Sequence, residues 1–262
     1  MNVFVAGHRG MLGRVAARYF SENGCRVVTS DRRYEALASD PLVEEIRASQ
    51  CDWVVNALGR IKQKHKDPAA LFQSNSVFPI HLKRRLRDGQ KLIHASTDCI
   101  FSGQTGNYSV DSLPDPDDEY GLSKLIGEAV AESGRAYVIR TSVIGLEDRG
   151  VGLMSWFLQQ QGPVRGFLNH FWNGLTTLEW SKLCLEIMRG REVLRSPILQ
   201  VGVSPAVSKY ELLRMISTVW RHETPIEPVN APSRIDRSLV PVSIRRPLSE
   251  QLFELKEWHS RD

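Results

Sequence analysis

The sequence predicts an α/β fold: a doubly wound parallel sheet with a small C-terminal α/β annex. Three observations predict it. Short apolar runs suited to buried strands alternate with amphipathic helical stretches from residue 3 to residue 140. Glycines at positions 7, 10 and 13 mark the passage from the first run into the first helix. After about Gly145 the alternation loosens into shorter strands, helices and a proline-rich stretch.

The elements follow in order. Val3-Phe4-Val5-Ala6 reads as a buried strand broken by Gly7. Met11–Asn23 reads as a helix with Leu12, Val15, Ala16, Tyr19 and Phe20 on one face, stopped by Gly24. Arg26–Thr29 is a second strand, running out at Asp31, and Leu42–Ser49 is a helix opened by Asp40-Pro41. Trp53–Ala57 is a third strand. Ala69–Arg87 is mostly helix, interrupted or kinked at Pro79. Lys91–Ala95 is a fourth strand, Tyr120–Ala131 a helix and Ala136–Arg140 a fifth strand. Strands alternating with helices make βαβ units, hence a parallel sheet with helices on both faces. Beyond it, helices are expected at Leu153–Gln161, Leu178–Arg189 and Lys209–Arg221, with short strands and the stretch Pro225–Pro247 between and after them. Residues 1–145 are read as mainly the sheet domain and 146–262 as mainly the annex, interleaved with it. No internal repeat or low-complexity linker is visible.

Composition narrows the function classes. The 262 residues are 42% hydrophobic and 24% charged, ordinary for a soluble globular protein. A formal charge of +4 is too small to argue for a nucleic-acid partner, and Lys83-Arg84-Arg85 with Arg87 reads as a solvated helix face. No apolar run is long enough to span a membrane and no signal peptide is visible. Cys25, Cys51, Cys99 and Cys184 are scattered without a C-x-x-C pair. They read as reduced thiols of a cytoplasmic protein, with no disulfide frame and no metal site.

The chemistry sits in two motifs. Gly7, Gly10 and Gly13 are spaced G-x-x-G-x-x-G between a strand and a helix, where a Rossmann-type fold holds a dinucleotide pyrophosphate. Gly7 permits the turn, Gly10 lets backbone approach the phosphates, and Gly13 lets the helix pack close to the sheet. Arg9, Met11 and Leu12 belong to the same cofactor segment. Asp31, at the end of the second strand, suits adenosine ribose hydroxyls and NAD(H). Arg32 and Arg33 beside it suit the 2′-phosphate of NADP(H). The choice stays open, with a lean to NADP(H). The second motif is Tyr120-Gly121-Leu122-Ser123-Lys124, whose Tyr and Lys share one helix face. A nearby ammonium favours the phenolate, so the Tyr can pass a proton. A proton donor beside a nicotinamide means hydride transfer to or from a carbonyl.

At these residues the chain resembles the extended short-chain dehydrogenase/reductases, and within them the dTDP-4-dehydrorhamnose reductase group. The resemblance is carried by Gly7-His8-Arg9-Gly10-Met11-Leu12-Gly13, Val54-Val55-Asn56-Ala57, Ser96-Thr97-Asp98-Cys99-Ile100-Phe101, Tyr120–Glu128 and Arg140-Thr141-Ser142. It implies that Tyr120 is the general acid, that Lys124 holds the nicotinamide ribose, and that Thr97 bonds the substrate carbonyl. It further implies that Ala57, Leu58 and Gly59 pass the adenosine ribose, that Asn75 steadies the site, and that Arg140–Val143 runs past the nicotinamide. Asn169–Thr177 resembles the substrate-side loop, where Trp172 and Asn173, beside Phe171, would meet the sugar nucleotide together with Asp98 and Cys99. Arg234, Arg245 and Arg246 lie where relatives bind the nucleotide diphosphate. A homodimer is expected from the resemblance alone.

Within that family the residues after Thr97 discriminate reactions. Sugar-nucleotide 4,6-dehydratases carry Asp then Glu there, whereas this chain has Asp98 then Cys99, and a thiol is a poor substitute for a carboxylic acid in water elimination. Epimerase-reductases similar to GDP-fucose synthase pair a Cys at this place with a downstream His. Residues 149–157 contain no His, and His170 is the nearest one. The expected activity is therefore NAD(P)H-dependent reduction of a nucleotide-activated 4-keto-6-deoxy sugar. The alternatives are an epimerase or epimerase-reductase on a similar substrate, and a non-catalytic nucleotide-binding regulatory subunit.

Overall fold

A computed structural model of the chain describes residues 1–61, 67–147, 150–192 and 194–261, so Arg149 of the segment searched for a histidine lies outside the described residues. The first half runs β1 (Asn2–Ala6), α1 (Met11–Glu22), β2 (Arg26–Thr29), α2 (Pro41–Ala48), β3 (Trp53–Asn56), α3 (Pro68–Phe72), a π-helical turn (Gln73–Val77), α4 (Phe78–Arg85), β4 (Lys91–Ala95), α5 (Glu119–Gly127) and β5 (Ala136–Arg140). The second half runs β6 (Val143–Ile144), α6 (Leu153–Leu158), β7 (Val164–Phe167), β8 (His170–Trp172), β9 (Leu175–Thr176), α7 (Thr177–Met188), β10 (Ile198–Gly202), β11 (Val207–Ser208), α8 (Lys209–Trp220), β12 (Ile226–Val229), β13 (Ile235–Asp236), β14 (Ser243–Ile244) and α9 (Leu248–His259).

The central sheet has seven strands in the order β14-β10-β5-β4-β3-β1-β2, all neighbouring pairs parallel. The five strands expected from sequence lie in it together. Two more come from the second half: Ile198 of β10 stands opposite Val138, and Val201 opposite Ser243 of β14. Side chains of β1 alternate, Val3 and Val5 to one face and Phe4 and Ala6 to the other, as the two-residue period requires. The first face is covered by α1, α7, α8 and α9, the second by α2 and α4, which makes the sheet doubly wound.

Local chemistry sets the helix ends. Asp40 accepts hydrogen bonds from the Leu42 and Val43 amides with Pro41 in the first turn, and Ser208 and Glu211 form a reciprocal capping box at α8. The helix expected over Ala69–Arg87 is divided by the π-helical turn. Pro79 cannot donate to the carbonyl four residues back, at Asn75, and the ladder widens there. Helix α9 was not anticipated. Its stripe of Leu248, Leu252, Leu255 and Trp258 is buried at helical spacing, although Pro247 and the preceding prolines suggest irregular chain.

Candidate active site

The carboxyl ends of β1, β3, β4 and β5 open on one side of the sheet, where ligands sit in such folds. The first turn there is held by its glycines. Gly7 has φ +85°, and a Cβ on it would come within 2.7 Å of the Leu58 amide nitrogen. A Cβ on Gly13 would lie 2.2 Å from the Gly7 carbonyl oxygen. The Gly10 amide donates to that carbonyl at 2.9 Å. Gly10 also caps α1 without any side-chain bond and with no acid in the first turn, leaving amides directed at an anion. This fits a dinucleotide pyrophosphate.

Beside the turn lies a cavity of about 520 Å³ lined by Arg9, Gly10, Met11, Arg14, Arg32, Arg33, Tyr34, Leu58, Gly59 and Arg60. Five guanidinium groups in this lining, against the single carboxylate of Glu147, suit phosphate more than a neutral ribose. Asp31, expected to meet the ribose, does not line this cavity. Its carboxylate is engaged by Arg9 at 2.6 Å and faces His8 at 3.4 Å.

A second cavity of about 510 Å³ adjoins the first through Gly10, Met11, Leu58 and Gly59. It brings together Leu12, Ala57, Asn75, Thr97, Asp98, Cys99, Tyr120, Lys124 and Trp172. The approach is enforced by two further glycines. A Cβ on Gly121 would lie 2.1 Å from the Cys99 carbonyl oxygen, and one on Gly127 would lie 2.2 Å from that of Asn75. Helix α5 therefore rests directly on the segment after β4 and on the π-helical turn, which sets Tyr120 beside Thr97. The Thr97 hydroxyl donates to Asp98 Oδ1 at 3.0 Å and receives the Cys99 amide at 3.2 Å.

Charge at the site differs in one respect from expectation. Burial raises the Tyr120 phenol above its ordinary pKa, Cys99, Asp98 and Asp118 raise it further, and a hydrogen bond with Thr97 opposes them. These influences outweigh any pull of Lys124 toward the phenolate. The Lys124 ammonium donates instead to the Ala95 carbonyl, and burial lowers its pKa to about 8 against the pull of Glu128. Tyr120 is thus held protonated. The Cys99 thiol, desolvated and beside Asp98, is pushed up to about 12.

Asn75 is fully buried in the π-helical turn. Its amide donates to the Arg60 carbonyl at 2.9 Å and to Ser123 Oγ at 3.0 Å, and its oxygen accepts the Arg60 amide, clamping the loop after β3 to α5. On the substrate side Trp172 lines the cleft, but Asn173 does not. Its amide nitrogen donates to the Val203 and Leu239 carbonyls and its oxygen accepts the Leu239 amide, so the group is spent on backbone. Phe171 does not line the cleft either and stacks under Arg234. Of the diphosphate candidates, Arg245 and Arg246 converge on buried Glu179, and Arg234 pairs with Asp236 at 2.7 Å.

Sequence reasoning missed Lys209 and Arg237, which line the same cleft as Thr97. Lys209 opens α8 with its ammonium 5.4 Å from the Trp172 ring centre. The Ser208–Glu211 capping box was the available signal for that helix start. Arg237 donates to the Phe101 carbonyl and to Asp117. It sits three residues beyond Arg234, one of the diphosphate candidates. Among the described residues no cluster of side chains could hold a metal ion, and no helix is long and apolar enough to cross a membrane.

Known proteins share this fold. A solved dTDP-4-dehydrorhamnose reductase from Bacillus anthracis, in complex with NADP, superposes with a TM-score of 0.83 at 16% identity, covering 98% of this chain and 99% of that one. A dTDP-4-dehydrorhamnose reductase from Clostridium acetobutylicum gives 0.81 at 15% identity, over 99% and 100%. A probable low-salt glycan biosynthesis reductase, Agl14 of Haloferax volcanii, is 34% identical over 143 residues, 49% of this chain. The aligned region spans about half of that relative, 48% of its length. The family described as the RmlD substrate binding domain matches residues 1–259, and the chain belongs to it.

Proposed function

We propose that this protein is an NAD(P)H-dependent reductase of a nucleotide-activated 4-keto-6-deoxy sugar in glycan or deoxysugar biosynthesis. The observation that carries the reading is the convergence of Thr97, Tyr120 and Lys124 on one cleft continuous with an arginine-rich cavity. When bound, a reduced nicotinamide supplies the hydride equivalent. The chain's part is to orient and to move a proton. Thr97 hydrogen-bonds the substrate carbonyl, and Tyr120, kept neutral by its surroundings, protonates the developing alkoxide. Lys124, fixed on the Ala95 carbonyl, presents a cation to the nicotinamide ribose. Trp172 offers an apolar wall, and Lys209 and Arg237 offer positive charge to an anionic substrate.

NADP(H) is the favoured cofactor, because the cavity at the adenosine end is cationic and Asp31 is already neutralised by Arg9. The complex of the Bacillus anthracis relative with NADP is consistent with this. The epimerase reading is weaker. A thiol raised to about 12 is a poor base at neutral pH, and His170 is bonded to the Ser233 carbonyl outside the cleft lining. A regulatory subunit would have no use for the complete trio. The homodimer reading draws support from Val77, Leu122 and Ile126, exposed on the π-helical turn and α5, and a cytoplasmic setting from four free cysteines.

The test is the loss of nicotinamide absorbance with NADH and NADPH against dTDP-, GDP-, UDP- and CDP-linked 4-keto-6-deoxy sugars. Turnover of one of them is expected, with Tyr120→Phe inactive yet still binding cofactor. Full turnover by Tyr120→Phe would remove Tyr120 as the acid. No turnover across the panel would remove the substrate class.

A further inference from the structure

The reaction outlined above leaves Glu128, a buried charged group, unused. Glu128 follows α5 immediately, four residues after Lys124, and only 5% of its side chain is exposed. Its carboxylate receives Arg140 through two bonds, Nε to Oε1 at 3.2 Å and Nη2 to Oε2 at 2.7 Å. It also receives the Ser96 hydroxyl at 2.5 Å. Arg140 continues to Gln200 Oε1 at 3.2 Å and to the Val110 carbonyl at 3.4 Å. Gln200 in turn donates to the Tyr108 and Val240 carbonyls.

These partners are adjacent to the reacting groups. Ser96 lies between Ala95, whose carbonyl holds the Lys124 ammonium, and Thr97. Arg140 ends β5 just before Thr141 and Ser142 of the cleft wall. One carboxylate thus ties together α5, the end of β4 and the end of β5.

A buried ion pair is an uncertain source of stability, because desolvation offsets its Coulomb attraction. Its survival next to a site points to a local electrostatic task. The groups facing Lys124 define that task. His94 on β4 is fully buried, takes the Asn56 amide on Nδ1, and is held neutral by burial and by Lys124 itself. Tyr120, one turn earlier on α5, is held neutral too. Arg140 is positive but lies bound to Glu128. Among the described residues, Glu128 is the carboxylate that acts on Lys124.

We propose that Glu128 is a positioning residue whose carboxylate locks the ends of β4 and β5 onto α5 and supplies the counter-charge that keeps Lys124 an ammonium in the cofactor site. Its role in cofactor binding rests on the function proposed above. Its effect on Lys124 does not.

The experiment reads Lys124 directly. The ¹³Cε and ¹⁵Nζ signals of uniformly labelled, cofactor-free protein are titrated, with the Lys124 signal assigned by its loss in Lys124→Met. Glu128→Gln alone would strand the Arg140 guanidinium, so the informative variant is Glu128→Gln/Arg140→Gln, which removes both charges and keeps hydrogen-bonding side chains. Glu128→Asp is the conservative control. The double variant is expected to release the Lys124 proton about one pH unit lower than the wild type, the size of effect typical of one nearby opposite charge. Glu128→Asp should titrate close to the wild type. The alkaline loss of NADPH affinity, followed by fluorescence, should move down with the double variant. A folded double variant in which Lys124 titrates as in the wild type would overturn the proposal, as would Glu128→Asp shifting as far as the double variant. Wild-type protein that binds neither NADH nor NADPH would overturn the dinucleotide reading, while the Lys124 titration would still decide this one.

Discussion

Gly121 makes one of the tightest contacts at the site, and replacing it with alanine tests how the site is built. The new Cβ would lie 2.1 Å from the Cys99 carbonyl oxygen and 3.0 Å from Pro116 Cβ. The first neighbour is backbone and cannot swing aside. Relief requires α5 to lift from the segment after β4 by about 1 Å, and a misplacement of that size between reacting groups costs on the order of 100-fold in rate. Stability responds less. Overpacking costs about 1–3 kcal/mol, while alanine is favoured over glycine inside a helix by about 1 kcal/mol. The remaining loss, at most about 2 kcal/mol, lowers Tm by a few degrees in a chain of this size, roughly 2–4 °C per kcal/mol. The assay is turnover of the accepted sugar nucleotide beside a thermal melt, with Gly162→Ala as control, since nothing lies within 4 Å of a Cβ there. A large fall in kcat with a small fall in Tm is expected. Gly121→Ala with wild-type kcat would refute the inference that close contact of α5 with residue 99 sets Tyr120 against Thr97.

Gly13→Ala would drive a Cβ to 2.2 Å from the Gly7 carbonyl oxygen and should weaken NADPH binding at least about tenfold, as checked by fluorescence titration. Arg245→Met should destabilise the fold by roughly 1.5–3 kcal/mol in urea, because Glu179 loses its more buried partner but keeps Arg246, while the KM for sugar nucleotide stays unchanged. Cofactor affinity should fall as pH rises through about 8, where Lys124 loses its charge, while Lys124's contribution to stability runs the other way. Its folded pKa lies below its unfolded value, so the unfolded chain binds more protons between about 8 and 10.4 and folding stability rises with pH across that window. A Lys124→Met variant should lose both slopes.

The strands and glycine turn were legible because their signals are local. Val3–Ala6, Lys91–Ala95 and Ala136–Arg140 are unbroken apolar runs or nearly so, and the structure keeps them as strands. The Tyr120–Lys124 pair was legible from spacing alone. What could not be read depends on contacts distant in sequence. The fate of Asn173 is decided by backbone at Val203 and Leu239. That of Arg245 is decided by Glu179 and Glu186, some sixty residues earlier. The shift of Tyr120 toward the neutral phenol arises from burial and from residues before its helix, Cys99 among them, and no spacing rule encodes it. Helix α9 was hidden by the prolines preceding it, although its leucines recur at helical intervals.

The two faces of the sheet close at different moments of synthesis. The layer formed by Phe4, Leu42, Val43, Ile46, Val54, Phe78, Leu82, Leu92 and Val138 draws on residues that have all left the ribosome once β5 has emerged. The opposite layer, which packs Val5, Val15 and Phe20, needs Leu178 and Leu183 of α7 and then Leu252, Leu255 and Trp258 of α9. A nascent chain halted near residue 145 would carry the glycine turn on a half-covered sheet, with β5 as a bare parallel edge and the apolar flank of α1 open. The half before residue 145 is therefore not a portable module. Its second wall is made only after β5, and until α9 docks the growing chain is a natural client for a chaperone that shields apolar surface.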